Sequence, residues 1–241
     1  MNAIEIKELT KRYKDLTAVD RLSLSIGEGE LFSLLGVNGA GKTTTIKMLS
    51  CLTRPSGGDA LLNGKSILHD SGGVKSIIAV SPQETAVAPL LSVRENLALM
   101  AGIHGMSKAE TVEKIASLSE KLGLDTVLSR RAGKLSGGWQ RRLSIAMALI
   151  SDPEILFLDE PTLGLDVLAR SELWDLIRSL KGRMTIVLTT HYMEEAEALS
   201  DRTGIMKSGR LIAVGTPAEI KARAGTERFE EAFVKLVKEA E

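Results

Sequence analysis

One cysteine, no excess charge and no long apolar run: the chain is short of three things, and each shortage excludes something. Cys51 is the single cysteine in 241 residues, so no internal disulfide can form. That suits the cytosol, and the residue reads as a core thiol. Lysine plus arginine and aspartate plus glutamate number 31 each. No net field therefore favours nucleic acid or an anionic lipid surface. No apolar stretch approaches the roughly 20 residues that span a bilayer. The start, Met1-Asn2-Ala3-Ile4-Glu5-Ile6-Lys7, alternates like a strand and lacks the build of a signal peptide. Any membrane role is expected to come through a partner. Internal repeats and low-complexity tracts are also missing. What remains is an ordinary globular composition, 44% hydrophobic, long enough for one domain or one domain with a lobed insert.

The most informative stretch present is Gly36-Val37-Asn38-Gly39-Ala40-Gly41-Lys42-Thr43. It matches G-x-x-x-x-G-K-[ST], the phosphate-binding P-loop. Glycines let consecutive backbone N–H groups curl around a phosphate without Cβ clashes. Lys42 can reach the β- and γ-phosphates, and the Thr43 hydroxyl can bind Mg²⁺. The flanks fit as well. Glu30 to Leu35 reads as a buried strand, and Thr44 to Leu49 as a helix whose N-terminus faces the phosphate.

Residues 2–35 read as antiparallel β structure, with period-two alternation at Ala3–Ile6 and Leu22–Ile26. Ser56-Gly57-Gly58-Asp59 precedes a short strand at Ala60-Leu61-Leu62, with Asn63-Gly64 as its turn. Ile77 to Val80 is an apolar run that ends at Ser81-Pro82-Gln83. From Ser92 to Ile150 the pattern becomes helical. Ser107 and Glu110 form a capping box, Val112, Ile115, Ala116, Ser119 and Leu122 share a face, and Gly123 is the stop. Ile155–Leu158 and Thr185–Leu188 are short apolar runs of the kind that fill a parallel sheet covered on both faces. Their alternation with helices predicts an α/β core. From Arg228 to the end, Phe229, Phe233, Leu236 and Val237 recur at helical spacing. This helix is expected to pack on its own domain, with a dimer contact as the alternative.

Two further motifs carry chemistry. Leu156-Phe157-Leu158-Asp159-Glu160 is an apolar strand ending in two carboxylates. A P-loop NTPase needs such an Asp to hold Mg²⁺, and Glu160 could polarise an attacking water. Leu135-Ser136-Gly137-Gly138-Trp139-Gln140 opens a helix that Ser136 could cap. Its two glycines would expose amide N–H groups, a second anion site on one chain. One chain has little use for two such sites unless one serves a partner's nucleotide.

In that combination the chain resembles the ATP-binding subunit of ABC transporters over nearly its whole length. Leu135 to Gln140 is similar to the ABC signature. Asp159-Glu160-Pro161-Thr162 followed by Gly164-Leu165-Asp166 resembles the Walker B strand end and the D-loop. Gln83 matches the Q-loop glutamine, His191 the switch histidine, and Tyr13 the aromatic that stacks on adenine. The resemblance implies an α/β fold: a P-loop NTPase core with a RecA-like parallel sheet, an N-terminal antiparallel β subdomain and an inserted α-helical subdomain. It places the nucleotide-binding domain at residues 1–225, the helical insert at about 90–150 and a C-terminal helix at 226–241.

It also implies a mechanism. Two nucleotide-binding domains, either two copies or a copy with a paralogue, pair head to tail. Each ATP is cradled by Asn38, Gly39, Ala40, Gly41, Lys42, Thr43 and Thr44 of one and capped by Ser136, Gly137 and Gly138 of the other. Asp166 lies at the seam. Thr43, Gln83 and Asp159 are the implied Mg²⁺ residues, and Lys42, Gln83, Glu160 and His191 the implied catalytic ones. Gln83 would join the ATP site to the helical lobe, which contacts an integral-membrane permease from the cytoplasmic face. Arg141-Arg142-Leu143, His191-Tyr192-Met193-Glu194-Glu195-Ala196-Glu197 and Gly215-Thr216-Pro217 resemble ATPases serving ABC-2-type permeases, many of them exporters. Trp139 departs from the usual Gln or Met, a change expected to alter packing and leave phosphate contact intact. The alternatives are a soluble ABC ATPase acting on DNA or ribosomes and an ATP switch with little turnover. Balanced charge and the lack of a coiled coil or tandem cassette argue against the first, so no nucleic-acid partner is expected. Intact Glu160 and His191 argue against the second.

Overall fold

The computed structural model describes residues 1–240; Glu241, the last residue of the expected C-terminal segment, lies outside them. Along the chain, β1 (Asn2–Tyr13), β2 (Leu16–Gly27) and β3 (Leu31–Leu35) lead to α1 (Lys42–Leu49). Then come β4 (Gly57–Leu62), β5 (Lys65–Ser66), α2 (Ser71–Ile77) and β6 (Ile78–Ser81). Three helices follow: α3 (Val93–Ile103), α4 (Lys108–Leu122) and α5 (Gly137–Ala148). The rest alternates: β7 (Ile155–Asp159), α6 (Val167–Leu180), β8 (Thr185–Thr190), α7 (Met193–Leu199), β9 (Arg202–Lys207), β10 (Arg210–Gly215), α8 (Pro217–Ala224) and α9 (Phe229–Glu239).

The strands form two sheets. One is antiparallel, in the order β2-β1-β4-β5. The other runs β10-β9-β3-β8-β7-β6 and is parallel except where β10 turns back on β9. This corrects the expectation that residues 2–35 are all antiparallel: β3 leaves its neighbours in sequence and pairs in parallel with β8 and β9. Its five residues are all buried. A strand buried at every position is covered on both faces, whereas β1 and β2 alternate because only one face is covered.

Three apolar clusters hold the layers together. One lies between the antiparallel sheet, α1 and one face of the parallel sheet, and includes the fully buried Phe32 and Phe157. Burying each such ring is worth about 1.5–3 kcal/mol. A second joins α3, α4 and α5 to α6 and the other sheet face. The third packs α7, α8 and α9 on Leu35 and Ile205, with Phe229, Ala232, Phe233 and Leu236 turned inward.

Local chemistry sets the helix ends. Ser92 and Ser107 close capping boxes with Glu95 and Glu110, and Gly123 ends α4 in the left-handed conformation. The buried stripe of α4 is Ile115, Leu118, Ser119 and Leu122. Val112 and Ala116, expected on that face, are exposed. The i, i+3, i+4, i+7 set that includes Leu118 buries more apolar surface than one led by Val112. The run after Asp70 is also a helix that the apolar pattern did not announce. Gly72 and Gly73 weaken its propensity, and the Asp70 side chain, accepting from the Gly73 amide, compensates.

Candidate functional site

The parallel registers decide where the site forms. Leu35 lies beside Thr190, Asp159 beside Thr189, and Ser81 beside Leu158. The chain therefore leaves β3 at Gly36, β6 at Pro82-Gln83, β7 at Glu160 and β8 at His191 along one edge, the carboxyl ends of the strands. Ligands of open α/β sheets bind outside that edge. A cleft of about 680 Å³ opens there. Tyr13, Asn38, Gly39, Ala40, Gly41, Lys42, Thr43, Thr44, Gln83, Glu160 and His191 all line it.

The loop from Gly36 to Gly41 has glycine where the backbone demands it. Gly41 has φ +103°, and a Cβ there would lie 2.5 Å from the Ala18 carbonyl oxygen. Gly39, at φ +81°, faces open space. Gly41 is the N-cap of α1 and offers no side chain to the first amides, so the N–H groups of the first turn remain open to an anion.

Lys42 is 5% exposed. Its Nζ donates to the Gly36 carbonyl at 2.7 Å and lies 3.2 Å from Glu160 Oε1. The other Glu160 oxygen is 2.6 Å from His191 Nδ1. One carboxylate thus bridges the loop lysine and the β8 histidine. Its backbone is left-handed, φ +48°, an unusual state for a residue with a side chain. Two bonds from the Glu160 amide, to Thr189 O at 3.1 Å and Thr189 Oγ1 at 3.0 Å, hold that kink. The kink turns a side chain at a strand end into the cleft.

Asp159 lies beneath the cleft, 4% exposed. It accepts from Thr43 Oγ1 at 3.1 Å and Thr189 Oγ1 at 2.5 Å. Tyr13 is 44% exposed at the cleft mouth, with Lys11 Nζ 4.9 Å from its ring centre.

A second group of predicted residues stays apart. Ser136, Gly137, Gly138 and Asp166 do not line this cleft. Ser136 and Gly137 are exposed at the start of α5. Ser136 occupies the N-cap position but makes no capping bond, contrary to expectation, so the amides of that turn stay free. Asp166 caps α6, accepting from the Ala169 amide at 2.9 Å. Trp139 is half-buried against the helical cluster, with the Arg142 guanidinium 5.2 Å from its ring centre.

Four residues beside the cleft were not singled out for a role. Thr189 and Thr190 sit at the end of β8 and shape the Glu160 and His191 turns. Glu195, fully buried on α7, accepts from Trp174 Nε1 at 3.1 Å. Burial pushes its carboxyl above the usual range, against the hydrogen bond from Trp174. Arg141, buried on α5, donates to the carbonyls of Pro82 and Gln83. In sequence Glu195 and Arg141 stand only within segments that resemble ATPases serving ABC-2-type permeases; the tertiary fold buries both. The lone thiol, Cys51, is half-buried beside the Ile67 carbonyl, and partial burial raises its pKa.

The family description "ABC transporter" matches residues 19–163, more than half of the chain. The chain belongs to the ABC transporter family. It is 42% identical over 226 residues to the doxorubicin resistance ATP-binding protein DrrA of Mycobacterium tuberculosis, covering 92% of this chain and 68% of DrrA. It is 40% identical over 241 residues to YbhF of Escherichia coli, a probable multidrug ABC transporter ATP-binding protein. That match takes in 97% of this chain but 41% of YbhF, so the chain spans about two fifths of that relative's length. Among solved structures, the ATP-binding subunit of an ABC transporter superposes with TM-score 0.85 at 30% identity, covering 97% of this chain and 99% of that one. The ABC cassette MJ0796, as a post-hydrolysis dimer bound to ADP and Pi, superposes with TM-score 0.79 at 27% identity, covering 88% of this chain and 98% of that one. The cassette of this chain is thus an ATPase domain with the P-loop NTPase fold. No helix among the described residues is long and apolar enough to cross a membrane.

Proposed function

We propose that the chain binds and hydrolyses ATP in a head-to-tail pair of cassettes and thereby drives a membrane permease, an exporter of the ABC-2 type. The observation that carries this reading is the split of the site. One set of groups converges on the cleft, and a second, with free helix amides, faces solvent elsewhere on the same chain. A second cassette turned head to tail would bring the second set over the first.

Within the cleft, the open amides of α1 and the Lys42 ammonium would take the phosphates. Lys42 now leans on Glu160 and on its own loop. A triphosphate offers it more negative charge than one carboxylate does. Drawing Lys42 away frees one oxygen of Glu160 for the attacking water, while His191 keeps the other in place. The strained Glu160 backbone keeps that base aimed before substrate arrives. Tyr13 would stack on the base. The oxygens of Thr43 and Asp159, facing each other beneath the cleft, suit Mg²⁺, a hard cation that binds few protein oxygens and keeps waters and substrate phosphates. When bound, it would neutralise charge on the phosphates. Gln83 would complete that set from the cleft wall.

The permease would cover the exposed apolar side chains of the helical lobe, Leu90, Leu99 and Ile103. The cassette would then work at the cytoplasmic face of the membrane. What supports export is the likeness to DrrA, a doxorubicin resistance ATP-binding protein.

Glu160→Gln tests the reading. Removing the base should lower turnover by about 10²–10⁴-fold. Nucleotide binding should persist, and an ATP-bound dimer should accumulate on size exclusion. Turnover close to wild type would remove Glu160 as the base.

A further inference from the structure

Arg141 is 4% exposed, one turn into α5. Its two terminal nitrogens donate to the main-chain carbonyls of Pro82 and Gln83, each at 2.6 Å. Three residues further along α5, Ser144 shares a buried hydrogen bond of 2.9 Å with Ser81. The end of β6 and the segment after it are therefore fastened to α5 at two adjacent points.

Burying a guanidinium costs free energy, and neutral carbonyls return less of it than a carboxylate would. Asp159 supplies negative field that offsets part of this cost. The arrangement therefore spends a buried charge on fixing a loop. The loop it fixes carries Gln83, which lines the proposed ATP cleft. The helix it fixes begins with Gly137 and Gly138, four and three residues before Arg141. At about 1.5 Å per residue, these lie within one rigid turn.

We propose that Arg141 is a positioning residue that couples the two ATP sites: it ties Gln83 in the chain's own cleft to the signature turn that serves the partner's ATP. A shift of the Gln83 backbone when nucleotide fills the cleft pulls on the guanidinium and re-aims the first turn of α5. The fork geometry matters, because two parallel N–H donors fix orientation as well as distance. This inference rests on the composite-site reading above.

The test uses Arg141→Lys and Arg141→Gln, each in the Glu160→Gln background so that hydrolysis does not intrude. Sedimentation measures the ATP dependence of dimer formation. A fluorescent ATP analogue titrated into dilute monomer measures binding to the cleft alone. Thermal melting reports whether each variant is folded, and the lysine variant keeps the buried charge if the glutamine variant is not. The expected result is monomer binding within about twofold of the parent, with at least about fivefold more ATP needed for half-dimerisation and a Hill coefficient nearer one. Arg141→Lys should fall between the parent and Arg141→Gln. Folded variants that dimerise with the parent's ATP dependence would overturn the proposal. So would a parallel loss of monomer binding, since Arg141 would then serve only its own cleft. A Glu160→Gln parent that binds ATP without dimerising would overturn the composite-site reading itself, a distinct failure.

Discussion

The P-loop region and the signature region both present a glycine-rich turn at a helix N-terminus, yet they differ in how complete they are. Around the P-loop every charged group has a partner from the same chain. Lys42 meets Glu160, Glu160 meets His191, and Asp159 meets Thr43 and Thr189. Around the signature, Ser136 and Gly137 face solvent and the helix amides have no side-chain cap. The first is a set of charges that balance one another within one chain. The second, in the proposed head-to-tail pair, is half of a binding site. On that reading a single chain can hold nucleotide in its cleft and still depend on a second chain for catalysis.

The largest effects should come from separating the two regions genetically. Lys42→Ala removes the P-loop cation, and Gly137→Asp places a carboxylate where a phosphate should meet open amides. Each variant alone should lose turnover by about a hundredfold or more. Mixed in equal amounts, they should recover. In a mixed pair one site carries both lesions and the other carries neither, so random two-fold pairing predicts about a quarter of the wild-type rate. Steady-state phosphate release over a titration of one variant into the other checks this. A mixture no more active than its parts would mean that the signature acts on its own chain, or that one intact site is not enough.

The contrast also explains what was legible in sequence. The P-loop is a local pattern whose spacing points to its chemistry; the Asp159-Glu160 strand end takes its meaning from the P-loop upstream, and the Ser136–Gly138 turn from its resemblance to the ABC signature. The capping boxes at Ser107 and the glycine stop at Gly123 are local too. What sequence hid depends on long-range pairing. β3 continues a run of antiparallel strands along the chain, and only its partners β8 and β9 make it parallel. Arg141 and Glu195 follow the ordinary pattern of helix charges, and only the packing of α5 and α7 against the sheet buries them. The Lys42–Glu160–His191 bridge joins segments more than a hundred residues apart.

Glu195, buried on α7, gives an effect of intermediate size. Trp174 donates to one of its oxygens; the other, and the neighbouring Thr162 hydroxyl, have no hydrogen-bond partner among the described residues. Burial, helped by the negative charge of Glu160, holds its carboxyl above the ordinary value of 4.5, and the positive charge of Arg141 faces it. Above pH 4.5 the unfolded chain releases this proton before the folded protein does. Unfolding then releases a proton, and stability falls as pH rises, by up to about 1.4 kcal/mol per pH unit until the folded pKa is passed. Glu195→Gln keeps the shape and removes the titration. The two proteins should melt with a constant offset below pH 4.5, and wild type should fall progressively behind above it. An offset that stays constant from pH 4 to 8 would show Glu195 to be ionised in the fold.

The smallest effect separates two serines in the same helical position. Ser107 and Ser136 each stand at the N-cap of a helix, α4 and α5. Ser107 caps: its hydroxyl accepts from the Glu110 amide at 3.3 Å, and Glu110 returns a bond to the Ser107 amide at 2.7 Å. Ser136 makes no capping bond. Ser107→Ala should therefore cost about 1 kcal/mol of stability, the worth of a helix cap, and leave turnover unchanged because α4 lines no part of the ATP cleft. Ser136→Ala should do the reverse, with little change in melting and a measurable loss of turnover. Denaturant unfolding and phosphate release on the two variants decide it. If Ser136→Ala instead lost stability and kept its rate, the serine would be an ordinary cap, and the free amides of α5 would lose their claim to a partner's nucleotide.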